Sequence, residues 1–517
     1  MKNIAKIFNW LILSIFLHLF FQLNSQSPFY LNHFIQSTNE HKYIETFVSL
    51  KPLKNQLFTT QDTSSTNSTK ISIFTNNNIQ LNYKNLKINF NLLADLSQTT
   101  IKDTSSNYSQ NTRGFNIFGT LGKNIFFYTE FFENQVYLVP YLDQKTNQTL
   151  TLLGQGVWKT FGTEQKSKDY NYATGFLWWK INKKFNIQAG QSKLFYGFGY
   201  RSLLLSDNAS PFPFFRINAD LAKFQYNVIY SELENFQTKY YFVHKKKHAT
   251  FIIINYKPTK FIEIGFFEST LWQTSDFATY RNRFPFLFFV PIPVAKELVY
   301  GLNNKHNINL GLNIGFYFKN YATFYTQTVL DNFSKDSFNQ RFGIQTGIKI
   351  YDLFLYKIPQ TQLYIQTEYN TCRPYTYTSN LANMSYTHLN EALATPLGAD
   401  FKEFLFISHF KFHRFSMSFQ FNNITSSIDT NTSNNGSNIL LINTNATNTQ
   451  PNAIANQLQT KIKYLSAQIA FTINKTNNLQ IFTEINQRSL NNIFENKKNI
   501  FITFGLKNRI KNTYKDF

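Results

Sequence analysis

His244-Lys245-Lys246-Lys247-His248 places two histidines four residues apart. On a strand they share a side but lie about 13 Å apart at ~3.3 Å per residue, too far to chelate one metal, so the segment reads as a basic strand end. Gly154-Gln155-Gly156-Val157-Trp158-Lys159-Thr160 has the residue types of a phosphate loop without its spacing or its strand-to-helix setting. Nine histidines permit Ser-His-Asp combinations, but no serine sits in a Gly-x-Ser-x-Gly elbow. The expectation is a non-enzymatic protein with no catalytic residue, no metal site and no cofactor. Two other segments carry groups suited to sugars. One is Gly197-Phe198-Gly199-Tyr200-Arg201-Ser202-Leu203-Leu204-Leu205-Ser206-Asp207-Asn208-Ala209, and the other is Glu368-Tyr369-Asn370 with Arg373-Pro374-Tyr375-Thr376-Tyr377. Aromatic faces hold sugar C–H surfaces and planar polar groups hold hydroxyls. Tyr200, Arg201, Asp207, Asn208, Arg373, Tyr375 and Tyr377 are therefore the candidate polysaccharide-binding residues. The competing reading is structural, with Arg201 and Asp207 pairing inside a barrel to pin their loop.

The elements that must position these groups follow from composition and pattern. Of 517 residues, 57 are Phe, 30 Tyr and 5 Trp, while charged residues make up 15%, against ~25% in ordinary soluble domains. Cys372 stands alone, which excludes a disulfide scaffold. The net charge of +22 comes from scattered lysines in a chain rich in Lys, Asn, Ile, Phe and Tyr. With no basic stripe, and with an export signal, nucleic acid is not an expected partner. That signal is a start with two lysines, the apolar Ile7 to Leu23 and a polar exit, which predicts a signal peptide over 1–25.

Beyond it no run of 18 apolar residues exists, yet apolar residues recur with period two. In Ile308-Asn309-Leu310-Gly311-Leu312-Asn313-Ile314, every second side chain is large and apolar while its neighbours are polar or Gly. A greasy face and a wet face in strand after strand predict an all-β fold, a transmembrane antiparallel β-barrel in the bacterial outer membrane with lipid around it. About eighteen strands can be placed, the first at 86–96 and the last at 499–511. Residues 26–85 form a small N-terminal periplasmic segment, and 86–517 the barrel. Short turns such as Gly122-Lys123-Asn124 and Asn182-Lys183-Lys184 alternate with the long segments 97–113, 134–170, 196–211, 271–306, 370–403 and 422–462, read as outer loops. The last is low in complexity and reads as solvated. Ile500-Phe501-Ile502-Thr503-Phe504 leads to the terminal Phe517, an ending expected to engage the outer-membrane insertion machinery.

At the two marked segments, with Phe132-Glu133-Asn134-Gln135, Tyr325-Thr326-Gln327-Thr328-Val329-Leu330-Asp331, Tyr386-Thr387-His388, Pro396-Leu397-Gly398-Ala399 and Tyr514-Lys515-Asp516-Phe517, the chain resembles the Wzi-like capsule-assembly family, and most closely its RemB-type branch from gliding bacteria. The resemblance runs from about residue 110 to the end. It implies an eighteen-stranded barrel with a small periplasmic element, acting at the cell surface in capsule attachment or, for the branch, adhesion and gliding. Thr395 stands where the branch tends to carry His, and Asp400 where it carries Asn. The expected partner is extracellular or capsular polysaccharide. A diffusion porin made anion-preferring by inward Lys87, Lys223 and Lys349 is the alternative, and an outer-membrane hydrolase the second.

Overall fold

The computed structural model describes residues 47–51, 68–72, 77–102, 106–162, 166–236, 244–273, 275–276, 281–282, 286–295, 306–331, 341–353, 358–429, 434–441, 458–508 and 513–517. The expected signal peptide lies outside them. Eighteen antiparallel strands close a barrel: β1 Leu86–Ile101, β2 Asn107–Leu121, β3 Ile125–Tyr137, β4 Ser167–Lys180, β5 Phe185–Ser192, β6 Phe212–Leu221, β7 Phe224–Phe236, β8 His244–Thr259, β9 Ile262–Trp272, β10 Asn307–Phe318, β11 Ala322–Asp331, β12 Phe342–Tyr351, β13 Thr361–Cys372, β14 Phe401–Phe412, β15 Phe415–Ser427, β16 Gln459–Asn474, β17 Leu479–Asn491 and β18 Asn496–Asn508. Each strand pairs with the next, and β18 returns to β1 in a register from Phe501↔Ile101 to Lys507↔Asp95. Closure gives each of the eighteen strands a partner on both sides, the condition for crossing lipid with strands. Among the described residues no helix is long and apolar enough to cross a membrane.

The period-two pattern becomes two surfaces. On β10, Asn309, Gly311 and Asn313 are buried in the lumen, whereas Leu312 is 48% exposed on the outside. Trp179, Phe318, Ile469 and Phe504 are likewise exposed on the outer surface. Large apolar residues outside and amides inside is the reverse of a soluble core, and it is the order that lipid requires.

Several strand ends differ from expectation. β1 runs on to Ile101 and β2 begins at Asn107, so most of 97–113 is strand and not loop; Ser97, Thr99 and their neighbours are polar on both faces, which hides a strand that continues past the apolar band. Segment 134–170 begins with strand to Tyr137, resumes it at Ser167, and holds a helix, α1 Pro140–Thr149, with proline in its first turn. Segment 422–462 is strand up to Ser427 and again from Gln459, and Ile439 between them is buried. Before β1, Ser68–Ile71 and Ile79–Tyr83 form a hairpin that pairs with the start of β1. β18 ends at Asn508 among the described residues, and the chain does not finish on a strand: residues 513–517 are irregular, with Phe517 buried against Leu142 and Tyr514.

Leu312→Arg on the lipid face should cost about 2 to 4 kcal/mol and reduce the fraction of barrel whose gel migration shifts on boiling. Thr99→Lys, directed into the open part of the lumen, should leave that fraction unchanged. Equal behaviour of the two would overturn the facing assignment.

Candidate functional site

The connection between β5 and β6 turns into the lumen. Phe195–Tyr196 pair antiparallel with Leu50–Lys51, and Tyr196, Phe198, Arg201, Leu203, Leu204 and Leu205 are all buried. Inward polar side chains on the wall satisfy this plug. Glu263 of β9 accepts the Val48 and Ser49 amides at 3.1 and 3.2 Å. Gln327 of β11 accepts the Leu203 amide at 2.7 Å and the Ser202 hydroxyl at 3.0 Å. Gln345 of β12 donates to the Arg201 carbonyl at 2.8 Å, and Glu368 of β13 accepts the Tyr200 amide at 2.8 Å. Backbone groups removed from water need such partners. Glycine makes room for the plug's rings. A Cβ at Gly315 would stand 2.7 Å from the Phe198 ring, and one at Gly265 would collide with the Tyr196 hydroxyl.

Arg201 is 1% exposed and lies between two carboxylates, Glu403 of β14 at 2.8 Å and Asp516 of the C-terminal tail at 2.5 Å. Burial alone would lower the guanidinium; Asp516 and Glu403 instead hold it above the ordinary arginine value. Tyr514 stands edge-on to Tyr200 at 5.2 Å and donates its hydroxyl to Asp207 at 2.6 Å. Arg201 is thus pinned inside the barrel, but by Glu403 and Asp516, while Asp207 holds the tail.

The second segment closes over the first. Tyr377 and Tyr386 donate their hydroxyls to the carbonyls of Leu203 and Leu204 at 2.6 and 2.7 Å. Asn208 donates to the Ala392 carbonyl at 3.0 Å. Glu391 accepts the Ser210 amide at 2.9 Å, the Ser210 hydroxyl at 2.7 Å and the Gly154 amide. Two segments about 170 residues apart therefore form one packed unit. Tyr200, Arg201, Asp207, Asn208 and Tyr377 lie within it. Arg373 and Tyr375 are half-buried at its rim, Arg373 over the Phe342 ring at 5.1 Å and Tyr375 bonded to the Asn434 carbonyl at 2.5 Å.

Sequence reasoning assigned no role to Glu263, Gln327, Gln345, Glu403 or Asp516. One signal was available: Leu203-Leu204-Leu205 is too apolar for a solvated loop. Lys247, from the basic strand end, is buried and donates to the Ser385 carbonyl at 2.7 Å. Of the lysines expected to line a pore, Lys349 is buried over the Tyr325 ring and Lys87 is half-buried on the inward parity of Asn91. Lys223 is exposed in the tight turn between β6 and β7, because β7 starts only at Phe224. The lumen keeps a cavity of ≈ 300 Å³ on the opposite side, between β1 to β3, β15 to β18, α1 and residues 513–516.

Arg201→Ala leaves Glu403 and Asp516 as unneutralised buried carboxylates, which costs about 3 to 5 kcal/mol. The expected result is a barrel that still inserts but whose last residues become open to carboxypeptidase; a resistant tail would show that the ion pairs do not hold it. Glu391 gives a pH dependence. Burial raises its carboxyl from 4.5 to about 7, so the folded loop holds a proton that the released loop gives up in that interval. Its stabilising contribution is complete below about 4.5 and is lost as pH rises through about 7. The protection of the amides of residues 385–395, taken relative to their intrinsic base-catalysed exchange, should therefore fall across that window, and Glu391→Gln should flatten that fall.

No curated protein matches the sequence. Among solved structures the chain is similar to the Escherichia coli outer-membrane protein Wzi, a carbohydrate-binding β-barrel involved in group 1 capsule assembly, at 11% identity and a TM-score of 0.51 over 80% of this chain and 83% of that one. Pseudomonas aeruginosa OprD aligns at 9% identity and a TM-score of 0.42, covering 86% of this chain and 98% of its own. A BenF-like porin from Pseudomonas fluorescens Pf-5 aligns at 8% and 0.44, covering 81% and 97%. The model of the family "capsule assembly protein Wzi" matches residues 55–500. This eighteen-stranded outer-membrane barrel thus belongs to the Wzi capsule-assembly family.

Proposed function

We propose that the protein binds extracellular or capsular polysaccharide at the outer mouth of the barrel as a non-enzymatic surface protein, and that its finer place is with the RemB-type branch, in adhesion or gliding. The observation that carries the reading is the packing of the two marked segments into one plug, through the bonds of Tyr377 and Tyr386 to Leu203 and Leu204. It gives the mouth a fixed rim. Arg373 offers planar donors for hydroxyls and carboxylates, and Tyr375 an aromatic face. Tyr200, Arg201, Asp207, Asn208 and Tyr377 then act as positioning residues that hold this rim from below. Family membership supports the reading, as does the carbohydrate binding of the Escherichia coli relative. The outer apolar band meets lipid, and β18, with Ile502 and Phe504 exposed on its outer face, is the strand we assign to the insertion machinery in place of Phe517.

The porin reading keeps one observation in its favour, the cavity of ≈ 300 Å³ beside the plug. Conductance in planar bilayers separates the two, since a plugged binder should give no steady ohmic current. For the polysaccharide reading, the double variant Arg373→Ala with Tyr375→Ala should lower retention of purified surface polysaccharide at least about fivefold, the worth of one or two lost hydrogen bonds or ring contacts, while its heat-shifted migration stays normal. Unchanged retention in a properly inserted barrel would remove the rim as the glycan contact.

A further inference from the structure

We propose that the lumenal cavity is a second carbohydrate site, distinct from the rim, which takes one or two neutral pyranose rings. Its volume of ≈ 300 Å³ lies at the lower end of the range of small-ligand pockets, about 300 to 1,000 Å³. Its lining alternates rings and hydrogen-bonding groups. Tyr137 packs on Tyr108 at 4.9 Å and Tyr141 on Phe501 at 5.8 Å, and together they make an aromatic strip toward the long-connection end. Below it stand Gln110, Gln468, Asn486, Asp95, Glu484 and Lys507.

Five polar residues of this lining are only half-buried and so present surface to the open space: Ser97 and Thr99 of β1, Gln110 of β2, Asn486 of β17 and Thr503 of β18. They come from four strands and supply two amides and three hydroxyls. Groups that both donate and accept, set beside an aromatic strip, match the mixed demands of sugar hydroxyls. The charges of the lining balance. Asp95 and Glu484 are matched in number by Lys507 and Lys515 on the same lining, and Asp516 is paired with Arg201, so neither an anionic nor a cationic ligand is favoured. A neutral sugar is the class that fits.

The inference shares with the rim reading only the carbohydrate class, and the test keeps them apart. Full-length protein in detergent is titrated by calorimetry with maltose, cellobiose and chitobiose at millimolar concentration. At least one should bind saturably with one site per barrel. Asn486→Leu should weaken it about fivefold, the effect of one neutral hydrogen bond. Ser466→Phe, which fills the space from β16, should abolish it, with heat-shifted migration confirming an intact barrel. Arg373→Ala with Tyr375→Ala should leave it unchanged. Binding by none of the three sugars, or binding indifferent to Ser466→Phe, overturns the lumenal site and leaves the rim reading standing. Disaccharide binding lost with the rim variant but kept with Asn486→Leu and Ser466→Phe overturns it in favour of a single site at the mouth.

Discussion

The guanidinium of Arg201, held between Glu403 and Asp516, joins three parts of the chain that are remote in sequence: the plug, the barrel wall and the C-terminal tail. A buried arginine must be paired or it would not stay buried, so its position fixes where the other two can lie. Asn422 and Gln420 of β15 bind Asp516 at 3.0 and 2.6 Å and extend the cluster along the wall. From this point the plug runs back through Gln345 and Gln327 to Tyr196, and there it meets Leu50–Lys51. The interior is thus a polar scaffold fitted to one path of backbone, and the rim rests on it through Tyr377 and Tyr386.

A large barrel needs such a scaffold because its two faces make opposite demands. The outer face is satisfied by any alternation that presents Leu, Ile, Phe and Trp to lipid. The inner face must satisfy whatever enters it. An apolar plug alone would leave its backbone amides without partners, and water alone would leave an open pore. Glu and Gln at single inward positions of successive strands solve this by reaching past the wall to the plug's main chain, while glycine at other inward positions receives its side chains.

That division explains what was legible in the sequence. Strand number and facing could be read because lipid imposes a strict period of two, as at Asn309 and Leu312. Strand ends could not, since above the apolar band both faces of β1 are polar and Ser97 to Thr100 look like loop. The aromatic terminus was misread for a related reason: a final Phe is apolar whether it faces lipid or the interior, and Phe517 packs on Leu142 and Tyr514. The candidate residues were found as two blocks, and the blocks do meet. Their accessibility was not legible, because the partners that bury Arg201 and Tyr377 come from β14, the tail and the plug, with no local pattern to announce them.

The lumen is unevenly used, and the sequence of the walls carries the difference. On β9 to β13, inward positions hold Glu263, Gly265, Gly311, Gly315, Gln327, Gln345 and Glu368, small residues or long acceptors that suit a packed chain. On β15 to β18 and β1, inward positions mix the short hydroxyls of Ser418, Ser466, Thr503, Ser97 and Thr99 with the rings of Tyr464 and Phe482 and the longer Gln420, Gln468, Glu484 and Lys507. The long groups here bond the tail or one another, Gln420 to Asp516 and Lys507 to Gln468, and the short hydroxyls and rings between them keep a lining face. The wall that holds the plug and the wall that faces the cavity are therefore built for different neighbours. One is a segment of the chain itself, and the other is open space.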